Sequence, residues 1–560
     1  MTSPADVVVV GAGGSGAPLA ARLSEDPGRR VLLLEAGPTP AGVRGFPAEL
    51  LDPTTVQGAM PGHPANWSYL GHLTPDLPYM IARGRILGGS TTLNGAYFVR
   101  ARPADFDAWA EVAGPEWSYD AMLPVLRRLE TDRDYGDSDG HGSSGPMFVM
   151  RPPQASILAA AFTAAARELG FPAEPDKNGL GEPGAGPVPV NVHRPPGSHE
   201  AVRWNTGLAY IDPARARPNL EVRGGVRVLR VLIREGRAVG VETTAGPIEA
   251  GEVVLCAGAI ATPQLLLVSG IGPRADLRAL GIDVVADLPV GVAFSDHPDI
   301  AIGWRAQRPV VDSRERVAFP AALNFSSELL SPERLSSVHS PSVGSPAAAA
   351  EADLEILLAV KPLGYLLTGT AHTLAGGVRT VLRHPLRTLR ALIGVSARRM
   401  AQQLTHRDDL QLIVALQQPA GRGRITITSA DPLVPPQIDY CYLEEEADRS
   451  RMRLAVRTAV ALLRTAAFAD VFDGLTELRD AELGDDAALD AWMLAHLGTA
   501  IHLCGSVPMG SVVDSHGRVH GVSGLRVADT SILPWAPSRG PAATAVAIGE
   551  RVADFMRAQG

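Results

Sequence analysis

The residues best placed to do chemistry stand near the start of the chain. GAGGSG (11–16) sets Gly11, Gly13 and Gly16 between an apolar run, DVVVV, and a helical pattern, APLAARLSEDP. Glycine at those places permits a tight turn, lets backbone N–H groups approach a pyrophosphate at a helix N-terminus, and lets helix and strand pack closely. Glu35 ends the next apolar run, RVLLLEAGP, 19 residues after Gly16, where a carboxylate accepts hydrogen bonds from adenosine ribose hydroxyls. Strand, Gly-rich turn, helix, strand and acid together predict a dinucleotide site, with Ser15 and Ala36 among its contacts. NAD and FAD share this unit, so it does not choose between them.

The elements that must carry such a site are legible in outline. The chain has 560 residues, enough for two domains or one large α/β core with an elaborated second half. Lys and Arg number 51 against 60 Asp and Glu, a net charge of −9, which argues against nucleic acid as a partner. Three isolated cysteines (Cys256, Cys441, Cys504) give neither a disulfide framework nor a pair at metal-ligand spacing, so no metal is expected and a reducing compartment fits. MTSPADVVVV runs straight into a strand without a signal-peptide pattern, and the alanine-rich run 157–166 is about half the ~20 residues of a membrane span. A cytoplasmic protein is expected. Helices are predicted at 118–132, 154–170, 444–468 and near the C-terminus, and an antiparallel meander over 220–258. Residues 336–350 (SSVHSPSVGSPAAAA) read as a loop or linker. Residues 378–404 carry six Arg and no acid; the expectation is a solvated helix pair, with peripheral contact at the inner membrane face as the alternative.

Two further stretches choose the cofactor. RGRILGGSTTLNGAYFVRARPADFD (83–107) and GAIATPQLLLVSGIG (258–272) together resemble the two signatures of the glucose–methanol–choline oxidoreductase family, which binds FAD. The resemblance extends over essentially the whole chain except about 300–410, the region that usually roofs the substrate site. It implies a doubly wound, Rossmann-like FAD-binding domain with an interleaved α+β substrate domain carrying an antiparallel sheet. The implied division is 1–299 for the first part of the FAD domain with interspersed substrate-domain segments, 300–495 for the substrate domain, and 496–560 for the returning C-terminal part with the catalytic His. The Gly-rich loop 84–95 suits close backbone passage along a flavin. The cofactor contacts implied are Arg85, Leu87, Gly88, Ser90, Asn94 and Gly95 in that loop, with Trp67, Val228, Asp529 and Gly540. Leu93 stands where some relatives carry a His joined to the flavin, so noncovalent FAD is expected.

The family's chemistry is oxidation of an alcohol, a base taking the hydroxyl proton while hydride passes to flavin N5. A neutral imidazole suits the proton step, and His502, in HLCGS, matches the family's active-site His. The second active-site position, usually Asn or His, falls on Gly540, which has no side chain to offer. His502 then acts alone, with a water, with Arg539, or with a group from the roof. His297 is expected to fix a loop by a hydrogen bond, and Cys504 to pack. The leading expectation is an FAD-dependent alcohol dehydrogenase passing electrons to a quinone or respiratory-chain component. The RGPAATA ending resembles a subgroup implicated in re-oxidising reduced mycofactocin. The alternatives are an oxidase releasing hydrogen peroxide and a non-redox flavin-containing lyase on the same fold.

Overall fold

The computed structural model describes residues 5–195, 200–308, 310, 315–329, 352–369 and 408–559. The stretches 336–350 and 378–404 lie outside the described residues.

Apolar runs with no polar alternation build a sheet covered on both faces. Its parallel strands lie in the order Leu220–Arg223, Val31–Leu34, Ala5–Val10, Gly246–Leu255 and Leu525–Val527. The register sets Val10 beside both Leu34 and Leu255, so the chain leaves three adjacent strands at one level, at Gly11, Glu35 and Cys256. That edge, outside the carboxyl ends of the strands, is where open α/β sheets bind ligands. The fold is the expected doubly wound α/β arrangement.

The predicted meander needs one correction. Leu220–Arg223 pairs in parallel with Val31–Leu34 and belongs to the nucleotide sheet. Only Val228–Arg234, Arg237–Thr243 and Gly246–Leu255 run antiparallel. Periodicity alone does not distinguish a short edge strand from a hairpin arm, because both are half buried. The helices form at Tyr119–Leu129, Ile157–Glu168, Glu446–Leu463 and Ala542–Arg557. The first ends before its predicted limit, because Glu130–Asp132 turns into a strand beside Met147–Val149.

The tail closes on the start of the chain. Helix Ala542–Arg557 packs against helix Gly16–Leu23, and a Cβ on Gly549 would lie 2.1 Å from the Ser15 carbonyl oxygen. Its Glu550, fully buried, accepts hydrogen bonds from Arg22 Nε (3.0 Å), Arg128 Nε (2.9 Å) and Tyr210 Oη (2.7 Å).

A second, antiparallel sheet stands opposite. Its order is Phe472–Leu475, Pro298–Ala306, Leu410–Leu416, Leu354–Ala359, Ala321–Phe325 and Ala185–Pro187, with Leu497–Thr499 also on Pro298–Ala306. Alternation assigns its faces. Ile300, Ile356 and Val414 join Met452, Val456 and Ala459 of the long helix in one core, while Asp299, Glu355, Leu357, Ile413 and Ala415 face the cavity below.

A buried charge cluster ties this roof to the tail. Lys177 Nζ donates to Glu174 Oε2 (2.6 Å), to the Gly184 carbonyl (2.9 Å) and to Asn324 Oδ1 (2.9 Å), and Arg539 Nη2 donates to Glu174 Oε1 (3.0 Å). Replacing Glu174 by Ala would leave two buried cations without their shared counter-charge. The expected loss is about 3–5 kcal/mol of stability, read as a lowered midpoint in urea; an unchanged midpoint would contradict it.

Candidate active site

A cavity of about 520 Å³ lies between the two sheets. It begins at the nucleotide turn, with Gly11, Gly13, Ser15, Glu35 and Ala36 in its wall, passes Trp67, Ser90, Asn94, Gly95 and Val228, and reaches His502, Asp529 and Gly540. Thirteen of the seventeen expected site residues therefore border one space.

The glycines explain the shape of the first end. Gly11 has φ +100°, and a Cβ there would lie 2.4 Å from the Cys256 carbonyl oxygen. Gly89, at φ +53°, comes so close to Gly13 that a Cβ on it would be 2.7 Å from the Gly13 Cα. Gly88 N–H donates to the Ala12 carbonyl at 2.8 Å, clasping the two Gly-rich loops together. A Cβ added to Gly13 would meet nothing nearer than 3.8 Å, so bare backbone is presented to the cavity. A wall of this kind admits a pyrophosphate and a flat ring, and the residues present fit FAD. Glu35 Oε1 accepts from Gly37 N–H (2.8 Å) and Oε2 from Ala12 N–H (3.1 Å). Burial pushes its carboxyl pKa up, against those donors. Each oxygen keeps a lone pair for a hydroxyl.

The other four expected residues do not border the cavity. A Cβ on Gly16 would lie 1.9 Å from the Gly11 carbonyl oxygen, so that glycine serves close helix packing. Gly88 has φ +88° and holds the clasp already described. Leu87 is fully buried beneath the turn, its N–H donating to the Pro38 carbonyl at 3.0 Å. The Arg85 guanidinium lies 5.0 Å from the Trp67 ring centroid, matched by Arg227 at 5.2 Å, so it supports a cavity residue without reaching the cavity. Asp529 does border the space, but its carboxylate is taken by Gly258 N–H (2.8 Å), Thr262 Oγ1 (2.6 Å), Ser531 N–H (2.9 Å) and Ser531 Oγ (2.6 Å). It anchors helix Gly258–Val268 through that helix's first residue.

At the far end the two histidines form a chain. His297 Nε2 lies 2.9 Å from the Pro537 carbonyl oxygen, and His297 Nδ1 lies 2.9 Å from His502 Nδ1. A carbonyl only accepts, so His297 carries its proton on Nε2 and accepts on Nδ1. His502 then donates from Nδ1 and keeps the lone pair on Nε2. Burial, aided by His297 and Arg83, holds the His502 imidazole well below its ordinary pKa. Burial lowers His297 to about 4. Both N–H groups of this pair's backbone donate to Asp296 Oδ1, at 2.7 Å from His297 and 2.6 Å from His502. The residue before His502 is strained: Ile501, β-branched, sits at φ +63°. Its carbonyl accepts from Arg83 Nη1 at 2.5 Å and its N–H donates to Thr499 Oγ1 at 3.1 Å. Backbone held this way costs about 1–3 kcal/mol, and here it directs His502 into the cavity wall.

Cys504 is buried, its thiol donating to the His502 carbonyl at 3.1 Å, and burial pushes its pKa up, which makes it inert. Gly540 borders His502: a Cβ there would be 3.3 Å from His502 Cε1 and 3.0 Å from Tyr97 Cε1. Arg539 is fully buried and bound to Glu174, and it is not in the cavity wall. The polar side chains beside the missing one are instead Tyr97 and, from the roof, Glu355, whose Oε2 accepts from Tyr97 Oη at 2.7 Å. Sequence reading missed both, along with Arg83 and Asp299. The one available signal for Glu355 was a lone acid in the apolar run LEILLA.

One cluster elsewhere has metal-ligand geometry, Glu130, Asp132 and His141. Arg100 binds Glu130 at 2.6 Å, and Arg151 pairs with Asp132. Despite burial, hydrogen bonds to Asp132, Asp176 and Glu130 raise the His141 pKa to about 10, so the imidazole is a cation among carboxylates. Among the described residues no helix is long and apolar enough to cross a membrane.

Family models described as GMC oxidoreductase match residues 6–299 and 419–549. The chain is 36% identical over 567 residues to an uncharacterised GMC-type oxidoreductase of Rhodococcus erythropolis, covering 99% of this chain and 98% of that one. It is 35% identical to an oxygen-dependent choline dehydrogenase of Burkholderia pseudomallei, covering 99% and 93%. Among solved structures it resembles pyridoxine 4-oxidase from Mesorbium loti, with TM-score 0.81, 27% identity and 99% of each chain covered.

Proposed function

The chain belongs to the GMC oxidoreductase family, whose cofactor is FAD, and from that premise we propose that it oxidises an alcohol with His502 as the base. The observation that carries this reading is the hydrogen-bonded series from Pro537 through His297 to His502, which leaves an unprotonated Nε2 at the cavity.

The residues divide the work. Nε2 of His502 takes the proton of the substrate hydroxyl, and the charge that then forms on the imidazolium is met at Nδ1 by the His297 lone pair. His297 cannot rotate away without giving up the Pro537 carbonyl. FAD, when bound, supplies the hydride acceptor. The nucleotide turn, Glu35 and the 84–95 loop would hold it, with Trp67, Val228 and Asp529 as further contacts, and Leu93 offers no nucleophile for a covalent link.

Because the folded environment lowers the His502 pKa, its neutral form persists to more acid pH than in a free imidazole. We expect kcat/KM to keep its value as pH falls through ~6.5, the ordinary histidine value. A half-maximal rate at that pH would contradict the assignment.

For the electron acceptor we propose a quinone or another component of a respiratory chain, with reduced mycofactocin among the substrates to be tested. The second reading, oxygen as acceptor, is favoured by the names of the relatives: an oxygen-dependent choline dehydrogenase and an oxidase. The deciding experiment is an anaerobic absorbance spectrum of the purified protein on adding alcohols or reduced mycofactocin, then air. Bleaching of the flavin band near ~450 nm that persists in air supports the dehydrogenase. Rapid recolouring with peroxide supports the oxidase. Turnover with the flavin oxidised throughout would mean a lyase and overturn both.

A further inference from the structure

One wall of the cavity carries a charge that the proton transfer does not use. Glu355 is the single polar side chain of the roof strand Leu354–Ala359; it is 6% exposed and borders the cavity. Its strand partners are Asn324 on one side and Ala415 on the other, with Asp299 beyond Ala415 on the same row. Tyr97 Oη donates to Glu355 Oε2 at 2.7 Å, and Asn324 Nδ2 donates to the same oxygen at 2.9 Å. Asn324 cannot be turned over, because Lys177 Nζ donates to its Oδ1 at 2.9 Å. Both protein donors thus go to one oxygen, and Oε1 is left to accept from a ligand.

Tyr97 completes this wall. Its ring occupies the space that a side chain at 540 would need, 3.0 Å from the place of such a Cβ. Burial keeps the phenol protonated and its proton is committed to Glu355, so what it offers a ligand is lone pairs. Among the described residues, the basic side chains of the cavity wall lie away from this side: Arg83 donates to the Ile501 carbonyl, and Arg227 lies on the Trp67 face and donates to the Pro432 carbonyl at 3.0 Å. Along Tyr97 and Glu355 the cavity therefore presents acceptors.

We infer that Glu355, held by Tyr97 and Asn324, is a recognition pole for the far end of the substrate, taking a hydrogen-bond donor such as a protonated amine or a further hydroxyl and turning away a carboxylate. The inference rests on the alcohol reading for the identity of the near end only.

The test separates the two. Binding of propylamine and of propanoate, neither of which has an alcohol to oxidise, is followed on the flavin-loaded protein by perturbation of the flavin spectrum. Propylamine should bind at least about tenfold more tightly, since like charges brought together in an interface cost several kcal/mol. Glu355→Gln should remove most of that preference. Equal affinities, tighter binding of propanoate, or a preference untouched in Glu355→Gln would overturn the inference. If that variant does not fold, the two wild-type affinities still decide. In parallel, propanol, propanediol, aminopropanol and hydroxypropanoate are tested for anaerobic bleaching. A preference for propylamine with no bleaching by any of the four keeps the pole and overturns alcohol oxidation. Bleaching without the preference does the reverse.

Discussion

Replacing His502 by Gln is expected to slow anaerobic flavin reduction by about 10²–10⁴-fold, the usual contribution of a positioned general base, while the protein still binds its flavin. Glutamine keeps much of the volume and a hydrogen-bonding group toward His297, but it has no basic lone pair for the hydroxyl proton. The backbone N–H at this position still reaches Asp296, so Ile501 and the strained turn keep their supports. Stopped-flow absorbance at saturating substrate measures the step directly. A variant that reduces its flavin within a few-fold of wild type would remove His502 from the proton transfer and send the search to the Tyr97–Glu355 pair.

Gly11→Ala should abolish flavin binding, so that the purified protein has no absorbance near ~450 nm. Two physical effects coincide there. The backbone at φ +100° disfavours any L side chain, and the new methyl would sit 2.4 Å from the Cys256 carbonyl, a backbone atom that cannot swing aside. Relief requires moving the first strand away from Gly246–Leu255, the strand beside it at the ligand edge. Gly13→Ala, at 3.8 Å from its nearest neighbour, should fold normally and lose affinity only where the pyrophosphate would approach. Full flavin content in Gly11→Ala would mean that the turn is not part of the cofactor site.

The nucleotide end of the cavity was legible in the chain because its constraints are local. Gly11, Gly13 and Glu35 act through the conformation of a single turn and the end of the next strand, both encoded within a few dozen residues. His502 was legible by resemblance, through HLCGS. Its tautomer was not, since the chain that sets it joins residues more than two hundred positions apart, His297 and His502, and ends on the Pro537 carbonyl. Arg85, Leu87 and Gly88 show the converse limit. They sit in the Gly-rich loop, but a loop has two sides, and only packing against the nucleotide turn shows which of its residues border the cavity and which do not.

Composition and turn chemistry by themselves determined the α/β class and the Gly-rich turn, and resemblance to the two signatures gave the family and pointed to His502. Tertiary structure alone decided what stands opposite His502. Tyr97, Glu355, Asn324 and Lys177 come from four separate segments, and each is unremarkable in its own stretch of chain. They become one acceptor wall only because antiparallel pairing sets Glu355 beside Asn324 and because the bare backbone at Gly540 leaves room for the Tyr97 ring. Complementarity of that kind depends on distances across the fold, and no local pattern of residue types carries them.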